Sequence, residues 1–494
     1  MSTVFVDFQQ LPVGNATVQA GAGLAFTGER QNMLFVLGRH QAMHFRRGGF
    51  SANAPLLTGP AFSLGFSFVS HTDAMVTLFS QGQEGEEGQL QVCLNTRYCP
   101  LKKELVHDAG NLLVFWLVKR SEKHVRYRRA SCRVSKHLPV TLLLTGELGS
   151  ETQVYVDGVL HGTLLAPRNL PASNSVLYVN PADEHVRLTA GGFYAANKAT
   201  ANPVALQAKL AAVLNDVPVT LQSRARALSL YHVNAAGELA VAIGRHQLAR
   251  FSPVGLSKLM TLYIALQHIA DASATVTVQE GDLMQGTGNN LEAGDVLTLE
   301  ALLYNLALAS SNTSANVLAR IVGAHLPQRR AKVAENATQR FVRHMNTTAR
   351  ELGMDGVLFM NPSGTTLQGQ QRITGKAIAL LLAALVRQGR ATSYYRLRRT
   401  HISIQSVTGS TRKRYISARF PMVAYSEPHF LFGHTGALIS PGGYMAHTAG
   451  VATDGQGGHF IWVQLGMNSI DKRKEELGNM LHYLRLQQGC RQQS

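Results

Sequence analysis

A chain of 494 residues, 45% hydrophobic and 16% charged, is long enough for two or three domains with sizeable cores, which excludes a disordered or fibrous protein. A formal net charge of +17 points to a polyanionic neighbourhood (nucleic acid, anionic lipid or an acidic bacterial envelope), and charge alone does not choose among them. Four cysteines exclude a disulfide framework; Cys93 and Cys99 are able to close one short loop in an oxidising compartment, but free or buried thiols are the expectation.

Residues 1–8 show no basic region followed by an apolar run, so no Sec-type signal peptide is expected, and synthesis as a soluble cytosolic product is. The longest apolar run, 377–386, is too short to span a bilayer. Up to about residue 195 the pattern is β. Phe62, Leu64, Phe66 and Phe68 alternate with small polar residues, as a half-buried strand requires, and further strands are predicted at 75–80, 89–94, 111–118, 138–145, 153–156 and 186–190. Short strands with no helical period between turn-rich segments predict a sandwich or jelly roll. Asp157-Gly158 between two apolar runs predicts a type I′ hairpin turn. The stretch Gln153-Val154-Tyr155-Val156-Asp157-Gly158-Val159-Leu160-His161-Gly162, with Glu184-His185-Val186-Arg187-Leu188 and Gly192-Phe193-Tyr194, resembles the laminin-G-like, concanavalin A-like lectin domains. That resemblance covers most of residues 1–200 and implies glycan binding, protein docking or packing on a neighbour. It assigns no calcium site. The basic run 119–129, with His124 and Tyr127 interleaved, has the composition of a single-stranded nucleic-acid platform but no nucleic-acid module around it, so a solvated β-hairpin is expected.

A helix is expected over 203–216, and strands at 227–233 and 239–243 make a hairpin. Ser252 as N-cap and Pro253 at the first helical position predict a helix running through the apolar 259–266, buried on most sides. Further helices are predicted at 299–309, 313–323, 330–352 (with Gly353 as C-cap), 374–388 and 472–486, and strands at 422–424, 430–433, 443–453 and 458–466. Helices between an N-terminal hairpin and C-terminal strands predict an α/β domain whose sheet joins both ends.

Three short motifs lie in this second half. Gly255-Leu256-Ser257-Lys258 opens the buried helix, Ser310-Ser311-Asn312 follows a helix about 50 residues later, and His434-Thr435-Gly436 sits in a strand. Each alone reads as a cap or a turn, although a lysine on an apolar helix is costly without partners. In this order and spacing they resemble the Ser-x-x-Lys, Ser-x-Asn and Lys-Thr-Gly motifs of the penicillin-recognising serine D-Ala-D-Ala peptidases, closest to the low-molecular-mass D,D-carboxypeptidases of the peptidase S11 type. The resemblance covers about residues 220–490, including Leu291-Glu292-Ala293-Gly294-Asp295 and Phe359-Met360-Asn361-Pro362-Ser363-Gly364. It implies that position 255 carries the nucleophile, Lys258 takes its proton, Ser310 relays a proton to the leaving group, and Asn312 binds the substrate amide. His434, in place of the usual lysine, would hold the terminal carboxylate with Thr435, in a pH-sensitive way. Gly436 would admit the substrate, and the N–H groups of Gly255 and Ala437 would form the oxyanion hole.

Glycine at 255 has no hydroxyl, and Ser257, about 100° round the helix, and Ser252, ahead of it, are badly placed to substitute. Retention of Lys258, Ser310 and Asn312 favours a peptidase whose nucleophile has been replaced over a substrate-binding pseudoenzyme or an alternative nucleophile. A β-lactamase is disfavoured, since 361–371 has no acidic residue for deacylation. The expected architecture is therefore multidomain: an all-β jelly-roll sandwich over 1–200, a helical linker over 201–219, and a β-lactamase/D,D-peptidase-like α/β domain over 220–494. The expected activity is serine D,D-carboxypeptidase or endopeptidase action on peptidoglycan stem peptides, with this chain inactive because of Gly255. Neither a cofactor nor a metal is expected. Expected partners are the stem peptide and a glycan, with neither nucleic acid nor a membrane span. Because peptidoglycan lies outside the cytoplasm, export as a type VI antibacterial effector, with secretion machinery and an immunity protein as partners, is the expected route.

Overall fold

The computed structural model describes the chain apart from residues 1–2, 8–16, 21–23, 29–32, 37–41, 46–47, 53–54, 84–85, 103, 122–123, 172–174, 181–187, 215–216, 218, 289, 329–333, 366–369, 407, 441–442 and 494. The chain divides into two compact units, Met1–Gln222 with Ser426–Pro428 and Gly478–Ser494, and Ser223–Tyr425 with His429–Leu477.

Strands of the first unit, numbered in chain order, form two antiparallel sheets. One runs β14 (Val159–Leu165), β13 (Glu151–Val156), β12 (Pro139–Glu147), β7 (Ala61–Ser70), β16 (Leu188–Ala196), β5 (Ala42–Phe45) and β4 (Met33–Val36), with β1 (Thr3–Asp7) also paired to β16. The other runs β11 (His124–Arg133), β10 (Glu104–Ser121), β9 (Leu90–Cys99), β8 (Val76–Gln81), β15 (Ser175–Asn180), β6 (Gly48–Ala52), β3 (Leu24–Gly28) and β2 (Thr17–Ala20). Phe62, Phe66 and Phe68 of β7 share one buried core with Leu78, Val92 and Trp116 of the opposite sheet, so the apolar phase of each strand closes a sandwich. Asp157 and Gly158 both have positive φ, 52° and 85°, as the hairpin turn requires. The basic run folds as the β10–β11 hairpin. Residues 184–187 of the lectin-like closing pattern lie outside the described residues.

Cys93 and Cys99 do not pair. Both are free and lie in the same extended strand, where six residues at about 3.3 Å each hold them far beyond disulfide reach. Helix α1 (Pro203–Ala212), capped by Asn202 onto the Ala205 N–H, packs Leu210 against Tyr194 and Ala196 of β16; residues 215–216 of the expected helix lie outside the described residues. Within the same unit, the buried Arg485 guanidinium is bound by Asp157 (2.8 Å), Glu427 (2.9 Å) and the Arg133 carbonyl (2.8 Å).

The second unit is built on a five-stranded antiparallel sheet, β18 (Leu239–Arg245), β17 (Ala227–Val233), β25 (His459–Met467), β24 (Gly443–Thr453) and β23 (Phe430–Ser440), which joins the first hairpin to the last three strands as expected. β23 is an edge. Helix α2 (Ser257–His268) runs through the core, with Leu259, Met260, Leu262, Ile264 and Leu266 all buried. Around it lie α3 (Leu299–Ala307), α4 (Asn312–His325), α5 (Ala337–Glu351), α6 (Gly375–Gln388) and α7 (Ala391–Tyr395). Gly353, φ 69°, ends α5 in the left-handed conformation expected of it, whereas residues 330–333, expected to begin that helix, lie outside the described residues.

Two local expectations fail. The predicted strand 422–424 is a 3₁₀ turn, Met422–Ser426. The helix expected from Ser252 begins as an α-helix only at Ser257, after a 3₁₀ turn over Val254–Leu256 with no side-chain cap. Ser252 instead offers its carbonyl to His447 Nε2 (2.9 Å), and Val254 takes φ 46°, a strained value for a β-branched residue. A second sheet, β19 (Thr275–Thr277), β20 (Val296–Thr298), β21 (Arg399–Gln405) and β22 (Thr411–Ser417), was not anticipated.

Candidate active site

Three elements of the second unit bring the motif residues together. The 3₁₀ turn that leads into α2 carries Gly255 and the first turn of α2 carries Lys258, the α3–α4 junction carries Ser310 and Asn312, and β23 carries His434, Thr435, Gly436 and Ala437. Ser310 has φ 54°, so a non-glycine residue is held in the left-handed region at the junction. Ser311 caps α4 by accepting from the Ser314 N–H, which turns the chain sharply between Ser310 and the first helical residue, Asn312.

Ser310 Oγ lies 3.2 Å from His434 Nε2, and His434 Nδ1 lies 2.9 Å from the Tyr395 hydroxyl. A neutral imidazole donates at one nitrogen and accepts at the other, so Tyr395, His434 and Ser310 form one polarised line in either tautomer. Tyr395 is itself fixed by stacking on Phe432 of β23, ring centroids 5.5 Å apart. Burial, with the charge of Lys258 as a second cause, drives His434 down to about 3. The titration near neutrality expected of this histidine is therefore displaced, because an imidazolium has neither water nor a counter-ion here. Lys258 takes over that range: burial alone brings its ammonium from 10.5 to about 7, and Nζ donates to the Ser363 carbonyl at 3.1 Å. A lysine poised there can accept a proton at physiological pH.

Asn312 Nδ2 donates to the Gln285 carbonyl at 3.0 Å, while its buried Oδ1 has no partner. A buried acceptor left open in this way can receive an N–H from a ligand. Ser257 Oγ is likewise buried and unpartnered, against the loop at Gly364.

The space beside Gly255, where the nucleophile was expected, is closed. A Cβ on Gly255 would lie 2.5 Å from the Thr435 carbonyl oxygen, and a Cβ on Gly436 would lie 2.9 Å from the Gly255 nitrogen and 3.1 Å from the Pro253 oxygen. Backbone meets backbone between the α2 turn and β23, a contact that only two glycines permit. The segments expected to frame an oxyanion adjoin directly. Thr435 is half-buried and faces Thr448 across the β23–β24 ladder, and Ala437 is exposed. No group of three or more potential metal ligands occurs among the described residues.

Sequence reasoning missed Tyr395 and the Gln285 and Ser363 carbonyls. The carbonyls leave no sequence signal. Tyr394-Tyr395 falls in a helix too short to show a period.

Residues 235–417 match the family model described as D-alanyl-D-alanine carboxypeptidase, peptidase S11, a span that contains Gly255, Lys258, Ser310 and Asn312. The D-alanyl-D-alanine carboxypeptidase DacF of Bacillus subtilis is 26% identical over 125 residues, 24% of this chain and 29% of the relative, so the matched stretch spans less than a third of that relative's length. Among solved structures, the Streptomyces K15 DD-transpeptidase is 20% identical over 54% of this chain and 99% of its own, with a TM-score of 0.46. The D-alanyl-D-alanine carboxypeptidase DacD of Francisella tularensis is 18% identical over 54% of this chain and 72% of its own, with a TM-score of 0.45. Residues 235–417 of the second unit are therefore similar to the D-alanyl-D-alanine carboxypeptidase family.

Proposed function

We propose that the second unit is a D,D-peptidase-type domain directed at peptidoglycan stem peptides ending in D-Ala-D-Ala, and that this chain binds such a peptide without acylating at position 255. The observation that carries this reading is the backbone contact at Gly255, where a serine Cβ would meet the Thr435 carbonyl at 2.5 Å. An extended peptide aligns along the free edge of β23 as an added strand, its N–H on Asn312 Oδ1 and its terminal carboxylate beside Thr435 and His434. That carboxylate supplies the negative charge which Lys258 and His434 lack. In the reaction of a serine enzyme of this type, the hydroxyl at 255 would add to the penultimate D-Ala carbonyl, Lys258 would take its proton, and Ser310 would pass one to the departing D-alanine.

A second reading, a serine peptidase in which glycine has taken the nucleophile's place, is favoured by the survival of Lys258, Ser310 and Asn312. The Gly255→Ser variant separates the two. A folded variant that resists a fluorescent penicillin and releases no D-alanine supports the binding reading, whereas labelling at the introduced hydroxyl with D-alanine release establishes the second. The first unit completes the proposal as a lectin-like module docking glycan or delivery machinery. Delivery into the periplasm as a type VI effector, countered by an immunity protein, is the context we propose. Absence of growth inhibition when the chain is directed to the periplasm would remove that context.

A further inference from the structure

Between residues 390 and 419 the chain has eight basic side chains and no acidic one. Three are spent internally: Arg390 on the Leu266 and Ile269 carbonyls, Arg398 on the Tyr425 carbonyl and Arg412 on Asp295. Arg399, Lys413 and Arg414 are exposed and have no side-chain partner among the described residues.

The hairpin register explains where they point. Thr400 opposes Ile416, and Ile402 and Ile404 are buried with Ile416, so the alternate positions Arg399, His401, Lys413 and Tyr415 share the outward face. Tyr415 is 81% exposed, with the His401 ring 6.1 Å away across the ladder. Charges on the edge strand β22 also guard against pairing with other sheets. That accounts for Lys413 and Arg414, and for Arg399 and His401 where β21 runs beyond its β20 pairing at Gln405, but not for an aromatic ring left in solvent. The hairpin springs from the walls of the site. Arg419 N–H donates to the Leu308 carbonyl at 2.8 Å, two residues before Ser310, and Tyr395, which binds His434, lies four residues before Arg399.

We infer that the outward face of this hairpin binds the peptidoglycan strand itself, with a sugar ring stacked on Tyr415 and the carboxylates of neighbouring stem peptides paired to Arg399 and Lys413, while one stem peptide occupies the site. The inference rests on the stem-peptide reading. A lipid surface fits less well, because the outward-facing neighbours of Tyr415 are polar and none reaches into an apolar layer.

The test uses the full chain and purified insoluble peptidoglycan in a sedimentation assay at low and high salt. Binding falls with salt and drops about tenfold or more in the R399E/K413E variant, with a smaller loss in Y415A. Both variants keep the wild-type melting temperature, and both bind a soluble D-Ala-D-Ala tripeptide as the wild type does, measured by calorimetry. Undiminished sedimentation of the folded double variant overturns the inference, as does tighter wild-type binding to single-stranded DNA or phosphatidylglycerol vesicles than to peptidoglycan. Should tripeptide binding be absent while charge-dependent sedimentation persists, the stem-peptide reading fails and the hairpin surface stands.

Discussion

Two buried polar clusters, one in each unit, solve the problem of placing charge away from water in opposite ways. Around Arg485 every charge has a counter-charge. Burial works against the ions, but Glu427 and Asp157 more than offset it and raise the Arg485 pKa, while Arg485 and a His482 hydrogen bond hold Asp157 down despite its own burial. Around Lys258 no carboxylate acts on the lysine among the described residues, and burial drives both Lys258 and His434 towards neutrality. The first cluster balances its charges within itself, leaving only His482 Nε2, 3.3 Å from Asp157, without an aligned hydrogen bond among its charged groups. The second is a set of donors and bases with an unpartnered Asn312 acceptor, which is the state expected of groups that wait for an anionic, amide-bearing ligand.

That contrast can be broken most strongly at Arg485. Arg485→Met leaves Glu427 buried without its counter-charge and Asp157 with only His482 beside it, and costs about 3–5 kcal/mol in urea denaturation. An effect near zero would mean that the cluster is not sealed.

Gly255→Ala sharpens the other side through its sign. In an open slot, alanine for glycine would stabilise by about 0.4–1 kcal/mol by restricting the unfolded chain. Against the Thr435 carbonyl it is overpacked and destabilises by about 1–3 kcal/mol.

The pH dependence follows from the same burial. Lys258 holds its proton up to about 10.5 when unfolded but only up to about 7 when folded. In that window the unfolded state binds more protons, so stability rises with pH by up to ~1.4 kcal/mol per unit. Below about 7 both states are protonated and the slope disappears. His434 contributes in the same direction between about 3 and its ordinary 6.5. Chemical denaturation of Lys258→Met across the upper window should show the slope flattened.

The smallest change is expected at Tyr395→Phe, which removes the hydroxyl from His434 Nδ1 at a cost of about 0.5–1.5 kcal/mol. Because phenylalanine keeps the ring's packing, a change above that range would mean that His434 Nδ1 is left buried and unsatisfied.

Much of this was legible in the residues, for identifiable reasons. Strand phase exposed β7 through the alternation of Phe62, Leu64, Phe66 and Phe68, although its polar face, expected in solvent, is buried too, and Asp157-Gly158 marked the β13–β14 turn because few residues accept positive φ twice in succession. Motif order alone brings Lys258, Ser310 and His434 to one locus. The β21–β22 hairpin escaped, since Arg414 and Tyr415 interrupt the apolar alternation on a strand whose burial is confined to Ile416. The late start of α2 escaped too: Ser252-Pro253 reads locally as a helix start, but the His447 hydrogen bond to the Ser252 carbonyl is made from a strand 195 residues away. The depressed histidine was invisible for the same reason, because enclosure is a property of β23, α7 and α2 together.

Calorimetric titration with a peptide ending in D-Ala-D-Ala, against its L-Ala-L-Ala counterpart, in buffers of different ionisation enthalpy near pH 7.5 (about half a unit above the Lys258 value), tests the account most directly. A carboxylate entering beside Lys258 and His434 raises their proton affinity, so the D-peptide should bind with proton uptake and be recovered intact. Absence of binding, equal binding of the L-peptide, or free D-alanine in the cell would contradict it.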